Sequence, residues 1–237
     1  MADIAFRDRA DAGARLGNRL LAEGFGRSGL FGILRGGLVV AHHAALITGV
    51  QVRAVAASKL RAPTQPELAI GAVTAEGPTY LDQVAIEHLK ISTRYLEEEI
   101  LERRRKAAAS QARFGRIEAD HLPEIAVVVD DGLATGATAI AAGRLLRELG
   151  AARLVVAAPV APRATLQKLA SGEFDDAVCL HAPKRFWAVG QFFVRFEAVS
   201  EAQLGELERS TGTGRLPTSG DCDQIPGCGT DQGDSGL

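Results

Sequence analysis

Apolar residues recur along this chain in two rhythms. Short, largely apolar stretches at 30–34, 50–57, 127–129, 154–159 and 177–180 read as strands, and the unbroken run at 127–129 reads as one buried on both faces of a parallel sheet. Between them lie stretches with helical spacing: 9–22, with Leu16, Leu20 and Leu21 on one side, 38–48, 140–149 closed by Gly150, and 164–169. Strand alternating with helix from Leu30 to Leu180 predicts an α/β fold, a parallel sheet with helices on both faces. Residues 60–120 interrupt the alternation. A turn-rich connector from Ala62 to Glu67 leads to a short strand at 68–73. Leu81, Val84, Ala85, Leu89, Leu96 and Ile100 then predict the longest helix, 81–109, on which Glu99 with Arg103 and Glu102 with Lys106 form favourable pairs four residues apart. From Ser210 onward Thr, Gly, Ser, Asp and Pro replace apolar residues, which predicts one domain over 1–209 and a disordered tail over 210–237.

Composition narrows the class. With 46% hydrophobic and 24% charged residues in 237, the chain is globular material for one domain with an insertion. A net charge of −2 gives no electrostatic ground for binding nucleic acid or a membrane surface. The most apolar region, 36–52, is broken by His42, His43 and Gln51 and is too short to span a bilayer. Asp3, Arg7, Asp8, Arg9 and Asp11 deny the first residues the apolar core of a signal peptide. Three cysteines without regular spacing predict a reducing compartment, the cytoplasm, and no disulfide framework. Cys179 reads as a buried small hydrophobe, and Cys222 and Cys228, in the tail without a His or second Cys pair, are not expected to bind metal.

The candidate chemistry is concentrated at 127–138, Val-Val-Val-Asp-Asp-Gly-Leu-Ala-Thr-Gly-Ala-Thr. Asp130 and Asp131 fall where the strand leaves the sheet, and Gly132, Ala134, Thr135, Gly136, Ala137 and Thr138 lead into the next helix. Glycines let backbone N–H groups turn toward an anion, threonines add hydroxyl donors, and a helix N-terminus favours negative charge. The loop has no Lys and lacks the spacing G-x-x-x-x-G-K-[ST], so it is not a nucleotide P-loop; no G-x-G-x-x-G follows a predicted strand, which disfavours a dinucleotide enzyme. Two adjacent carboxylates repel a triphosphate but accept hydrogen bonds from vicinal sugar hydroxyls. A ribose carrying a monophosphate satisfies both halves of the motif. Arg35-Gly36-Gly37, after the strand at 30–34, offers a second anion cradle, suited to a substrate with phosphate at one end and pyrophosphate at the other; a plain strand-to-helix turn is the alternative.

Hydrophobic run, Asp130-Asp131, three residues, then Thr135-Gly136-Ala137-Thr138 resembles the phosphoribosyl-pyrophosphate motif of the type I phosphoribosyltransferases. Lys59, Pro63, the run from Pro66 to Val73 and Ala188-Val189-Gly190-Gln191 are similar to one bacterial branch of predicted phosphoribosyltransferases with no generally assigned acceptor. The resemblance implies a Rossmann-like sheet with a flap or hood inserted over about 60–120. It also implies transfer of a 5-phosphoribosyl group from phosphoribosyl pyrophosphate (PRPP) to a nitrogenous acceptor, with release of pyrophosphate, as a step of nucleotide metabolism.

The resemblance further assigns roles. Thr135, Gly136, Ala137 and Thr138, with Gly132 and Ala134 in the same loop, would hold the 5′-phosphate, and Asp130 and Asp131 the ribose hydroxyls. Arg35, Gly36 and Gly37 would stabilise the departing pyrophosphate, in a loop that in the family often carries a non-proline cis peptide beside a basic residue. Lys59 matches a pyrophosphate-contacting position or is simply solvated; one of Arg103, Arg104 and Arg105 reaches the pyrophosphate from the flap, or the run is a solvated helix end. Asp130, Asp131, Arg35 and Lys59 are thus the expected catalytic set. Mg²⁺ is implied as cofactor, carried mainly by the substrate, with no metal ligand named on the protein; a homo-oligomer is compatible with the family. Phe186 or Trp187 would stack on a flat acceptor, or belong to a packing cluster between hood and sheet, while His42 and His43 read as structural. One position departs from the pattern. Where the 6-oxopurine enzymes usually carry an Asp ahead of Thr-Gly this chain has Ala134, which has no proton to exchange, so hypoxanthine and guanine are disfavoured and no general base announces itself. A non-catalytic PRPP sensor, or a hydrolase of another phosphorylated sugar, would use the same cradle.

Overall fold

The structure, a computed structural model, describes residues 4–210. Its elements follow in the order α1 (Arg9–Ala22), β1 (Gly29–Ile33), α2 (Gly36–Thr48), β2 (Val52–Val55), β3 (Ala57–Arg61), β4 (Ala69–Thr74), β5 (Tyr80–Leu81), α3 (Gln83–His88), α4 (Thr93–Gln111), β6 (Ile125–Val129), α5 (Ala137–Glu148), β7 (Arg153–Val160), α6 (Arg163–Ala170), β8 (Asp176–His181) and α7 (Glu201–Ser210). Strands β2, β1, β6, β7 and β8 pair in that order, all parallel, as the alternation predicts. Val127 and Val129 pack on one face with Leu16, Leu20, Leu38 and Val40; Ala126 and Val128 pack on the other with Ile140, Leu146 and Phe174. Each face has its own helical cover, which is why the β6 run shows no polar alternation. On α1 the buried stripe is Ala12, Gly13, Leu16, Gly17 and Leu20. Leu21, expected on that side, faces solvent, because consecutive helical residues stand about 100° apart.

The inserted region corrects two expectations. The stretch at 50–57 is not one strand: β2 stops at Val55, and β3, which carries Ser58 and Lys59, opens a separate antiparallel sheet, β3-β4-β5. The break falls at Ala56, whose N–H donates to Gln111 Oε1 at 2.7 Å, while Gln111 Nε2 donates to Ala54 O at 3.1 Å. The single helix at 81–109 is two helices. Asp82 caps α3 by accepting from Ala85 N–H at 3.1 Å, Ser92 caps α4 by accepting from Tyr95 N–H at 3.3 Å, and Lys90 between them has φ 51. Val84, which the spacing turns inward, is exposed. Leu60, Ile70 and Val73 pack against Leu89, Leu96 and Ile100 in a core of the insertion's own.

Elsewhere the boundaries shift modestly. Helix α5 begins at Ala137, ahead of the predicted start at 140, after Gly136 turns the chain at φ 76. Helix α7 has no counterpart among the predicted elements and buries Leu204 and Leu207. The expected tail beyond it, with Cys222 and Cys228, lies outside the described residues. Cys179 is half-buried against the core, and burial raises its thiol pKa. Among the described residues no helix is long and apolar enough to cross a membrane.

Candidate functional site

Strands β1 and β6 are neighbours, so the loops that follow them leave the carboxyl edge of the sheet side by side. They share a cleft of about 420 Å³. Asp130, Asp131, Gly132, Ala134 and Thr138 line it from the β6–α5 loop, and Leu34, Arg35 and Gly36 from the β1–α2 loop. Ile33 of β1, Ala57, Ser58, Lys59 and Arg61 of β3, Arg103 of α4, and Arg9, Val189 and Phe196 complete the wall. Gly37, Thr135, Gly136, Ala137, Phe186 and Trp187 are not among the lining residues.

The two loops approach more closely than any side chain permits. A Cβ on Gly36 would stand 1.9 Å from Asp131 Oδ2, and one on Gly37 would stand 2.5 Å from Val129 O. Glycine at both positions is what lets the loops meet. The Leu34–Arg35 peptide beside them is cis.

The acidic pair is asymmetric. Asp130 Oδ1 accepts from the Asp131 N–H at 2.9 Å, and Thr138 Oγ1 donates to Asp130 Oδ2 at 3.4 Å. Burial, reinforced by the neighbouring Asp131 charge, pushes the Asp130 carboxyl up to about 8, against the opposing pull of the Asp131 N–H, Lys59 and Thr138. Asp131 instead meets a cation, with Arg9 Nε 2.8 Å from its Oδ2. Thr135, Gly136 and Ala137 form the turn that opens α5: Thr135 Oγ1 accepts from the Ala137 N–H at 3.4 Å, and Thr165 Oγ1 donates to Ala134 O at 2.7 Å. First-turn N–H groups there lack partners within the helix, the usual setting for a bound anion.

The cations around the cleft differ in freedom. Of the three flap arginines only Arg103 lines it. Its Nε donates to Glu99 Oε1 at 2.7 Å, and that buried carboxylate also accepts from the Arg61 N–H at 2.9 Å. Arg104 turns away to Gly77 O and Thr79 Oγ1, each at 2.9 Å, and Arg105 is exposed. Arg35 Nη2 lies 2.7 Å from Glu201 Oε1 on α7. Both side chains are more than half exposed, and such a pair is weak enough to yield to an incoming anion.

Phe186 packs on Phe192 at 5.5 Å between ring centroids, inside a cluster with Phe6 and Phe193. Trp187 is 86% exposed. Gln191 Oε1 accepts from the Trp187 and Ala188 N–H groups at 3.0 and 3.2 Å, which orders the turn that carries Val189 into the cleft. His42 and His43 lie on α2 with their rings 5.3 Å apart, outside the cleft lining. Burial, then the proximity of His43, lowers the His42 pKa.

Sequence reasoning missed Arg9 and Phe196, treating α1 as packing alone. A signal was available: an Arg at the first position of a helix opposes the macrodipole and so points to a partner elsewhere. Among the described residues Asp130 and Asp131 are the only carboxylates lining the cleft, and one of them is committed to Arg9. Among those residues no group of three or more His, Cys, Asp or Glu side chains is placed to hold a metal ion. Such a donor set fits a hard cation held chiefly by a ligand's own oxygens.

A family model described as a phosphoribosyl transferase domain matches residues 8–192. The chain is 34% identical over 203 residues to a Mycobacterium tuberculosis protein, in strains CDC 1551 / Oshkosh and ATCC 25618 / H37Rv, whose provisional name is phosphoribosyl transferase. That match covers 84% of this chain and 45% of the mycobacterial one, so the chain spans less than half the length of these relatives. The crystal structure of the protein TT1426 from Thermus thermophilus is 34% identical, with a TM-score of 0.70 over 88% of this chain and 100% of that one.

Proposed function

The chain belongs to the phosphoribosyl transferase domain family, and on that premise we propose that it moves the 5-phosphoribosyl group of PRPP to a nitrogen acceptor and releases pyrophosphate. The observation that supports this reading best is that the acidic pair after β6 and the Arg35-Gly36 loop after β1 line one cleft. Cleavage at the anomeric carbon passes through an oxocarbenium-like state, so the chain's work is to hold both ends of the sugar while charge moves onto the leaving group. Asp130 and Asp131 engage the ribose hydroxyls. The turn from Thr135 to Thr138, with the N-terminus of α5, takes the 5′-phosphate. Arg35, Lys59 and Arg103 face the pyrophosphate, with Gly36 and Gly37 letting the backbone come close. Mg²⁺ arriving on the pyrophosphate would share the leaving group's charge when bound. The β3–β5 insertion with α4 forms the wall that keeps water from the reacting carbon. Ala134 lines the cleft and offers neither acid nor base, so the acceptor is one other than a 6-oxopurine.

Calorimetric titration of PRPP with Mg²⁺ tests the first half of this reading. The wild type is expected to bind and the Asp130→Asn/Asp131→Asn protein to lose binding; a wild type that takes up no PRPP refutes it. Pyrophosphate release in a mixed pool of nitrogenous acceptors tests the second half, since binding without release identifies a sensor. Appreciable formation of IMP or GMP would overturn the inference from Ala134.

A further inference from the structure

We propose that Arg9 is a positioning residue for the transfer, fixing the Asp131 carboxylate so that one oxygen stays turned to the sugar; this rests on the phosphoribosyl reading above. The guanidinium is held at three points. Its Nε lies 2.8 Å from Asp131 Oδ2, its Nη1 donates to Glu197 O at 2.7 Å, and its carbon sits 3.8 Å from the ring centroid of Phe196. Arg9 and Asp131 keep only 14% and 17% of their side-chain surface exposed. One planar group bonded at two edges and stacked on a face has almost no freedom to swing. Asp131 Oδ2 is therefore occupied, and Oδ1 accepts no hydrogen bond from the described residues, in a side chain that lines the cleft.

The backbone on either side is fixed as firmly. The Phe6 N–H donates to Phe192 O at 3.0 Å, the Val194 N–H to Phe6 O at 2.9 Å and the Arg195 N–H to Arg7 O at 2.9 Å, a ladder that brings Arg9 and Phe196 to the same rim. Asp8 then caps α1 by accepting from the Asp11 N–H at 3.0 Å and also meets Arg195. Helix α1 gains nothing from a cation at its first position, since the dipole there favours negative charge. The carboxylate 122 residues away accounts for it. The pair also lies under the pyrophosphate loop: a Cβ on Gly36 would meet Asp131 Oδ2 at 1.9 Å and Arg9 Nε at 2.9 Å. Arg9 thus ties the ribose end of the site to its pyrophosphate end. A Lys carries the charge but lacks the planar fork that reaches both oxygens while stacking on the Phe196 ring.

The test is a mutant cycle read by PRPP titration in the presence of Mg²⁺, on wild type, Arg9→Gln, Arg9→Lys, Asp131→Asn and Arg9→Gln/Asp131→Asn, with thermal unfolding of each. Arg9→Gln and Asp131→Asn should each weaken binding by about tenfold or more, the scale of a lost charge-assisted hydrogen bond. The double variant should bind no worse than Asp131→Asn alone, because Arg9 acts through that carboxylate, and Arg9→Lys should recover only part of the loss. Wild-type affinity in Arg9→Gln, losses that multiply in the double variant, or full rescue by Lys would each overturn the inference and leave the function intact. A wild type that binds no PRPP overturns the function reading, and this inference with it. Should Arg9→Gln fail to fold, Arg9→Lys and Phe196→Leu carry the test, both expected to bind more weakly and both overturning the proposal if they bind as wild type.

Discussion

At the scale of single residues, Asp130 is an acid whose surroundings resist its ionisation. Its carboxyl titrates near 3.8 in the unfolded chain and is pushed up to about 8 in the folded one. Folding therefore takes up a proton between those values. The stabilising contribution is full below about pH 4 and is lost as pH rises through about 8. Asp130→Asn keeps the shape and the neutral state, so its melting temperature should gain on the wild type by a margin that grows from pH 5 to pH 8.5; a margin independent of pH would contradict this. Gly36 makes an equally local demand. Gly36→Ala places a methyl 1.9 Å from Asp131 Oδ2 and should slow pyrophosphate release from PRPP on the order of 100-fold, the cost of moving a site group by about an ångström, as a coupled pyrophosphate assay would report. The acidic pair was legible in the sequence because strand, carboxylates, glycine turn and helix are contiguous. Arg9 was legible only as a cation misplaced at a helix start; its partner is remote in the chain, and no motif names it.

At the scale of elements, the insertion depends on one buried carboxylate. Glu99 of α4 joins the Arg103 side chain to the Arg61 backbone of β3, and Arg103 in turn faces the cleft. Glu99→Ala leaves Arg103 without its partner and should cost about 3 kcal/mol of unfolding free energy, read by denaturant titration, and weaken pyrophosphate binding as Arg103 loosens. Equal stability of the variant would mean the pair contributes nothing to docking α4 on β3. The strand and helix alternation of the central sheet was readable because each element buries a continuous apolar face. The break between β2 and β3 was not, since no local residue causes it: the Gln111 side chain, 55 residues on, takes the Ala56 N–H. The division into α3 and α4 was readable in principle from Asp82 and Ser92, helix-capping residues within an apolar periodicity that overrode them.

At the scale of the molecule, net charge and local charge have opposite signs. The chain carries −2 overall, whereas the cleft brings Arg9, Arg35, Lys59, Arg61 and Arg103 around Asp130 and Asp131. PRPP affinity should therefore fall as NaCl rises from about 50 to 300 mM, over which the screening length shortens to roughly half. An affinity indifferent to salt would show that these cations are not facing the ligand. The composition predicted an ordinary acidic globular protein and could not reveal this, because only the fold gathers the five basic side chains. The fold also joins Phe6 to Phe193 and Arg9 to Glu197, the latter pair 188 residues apart. A ribosome making about 5–20 residues per second needs roughly 10–40 s to deliver that second segment after the first. Through that interval the sheet can assemble behind an open rim with α1 already packed on α2, and the first segment waits exposed for partners not yet synthesised. Substrate consequently cannot chaperone the early nascent chain, because the site is complete only once Glu197 has emerged.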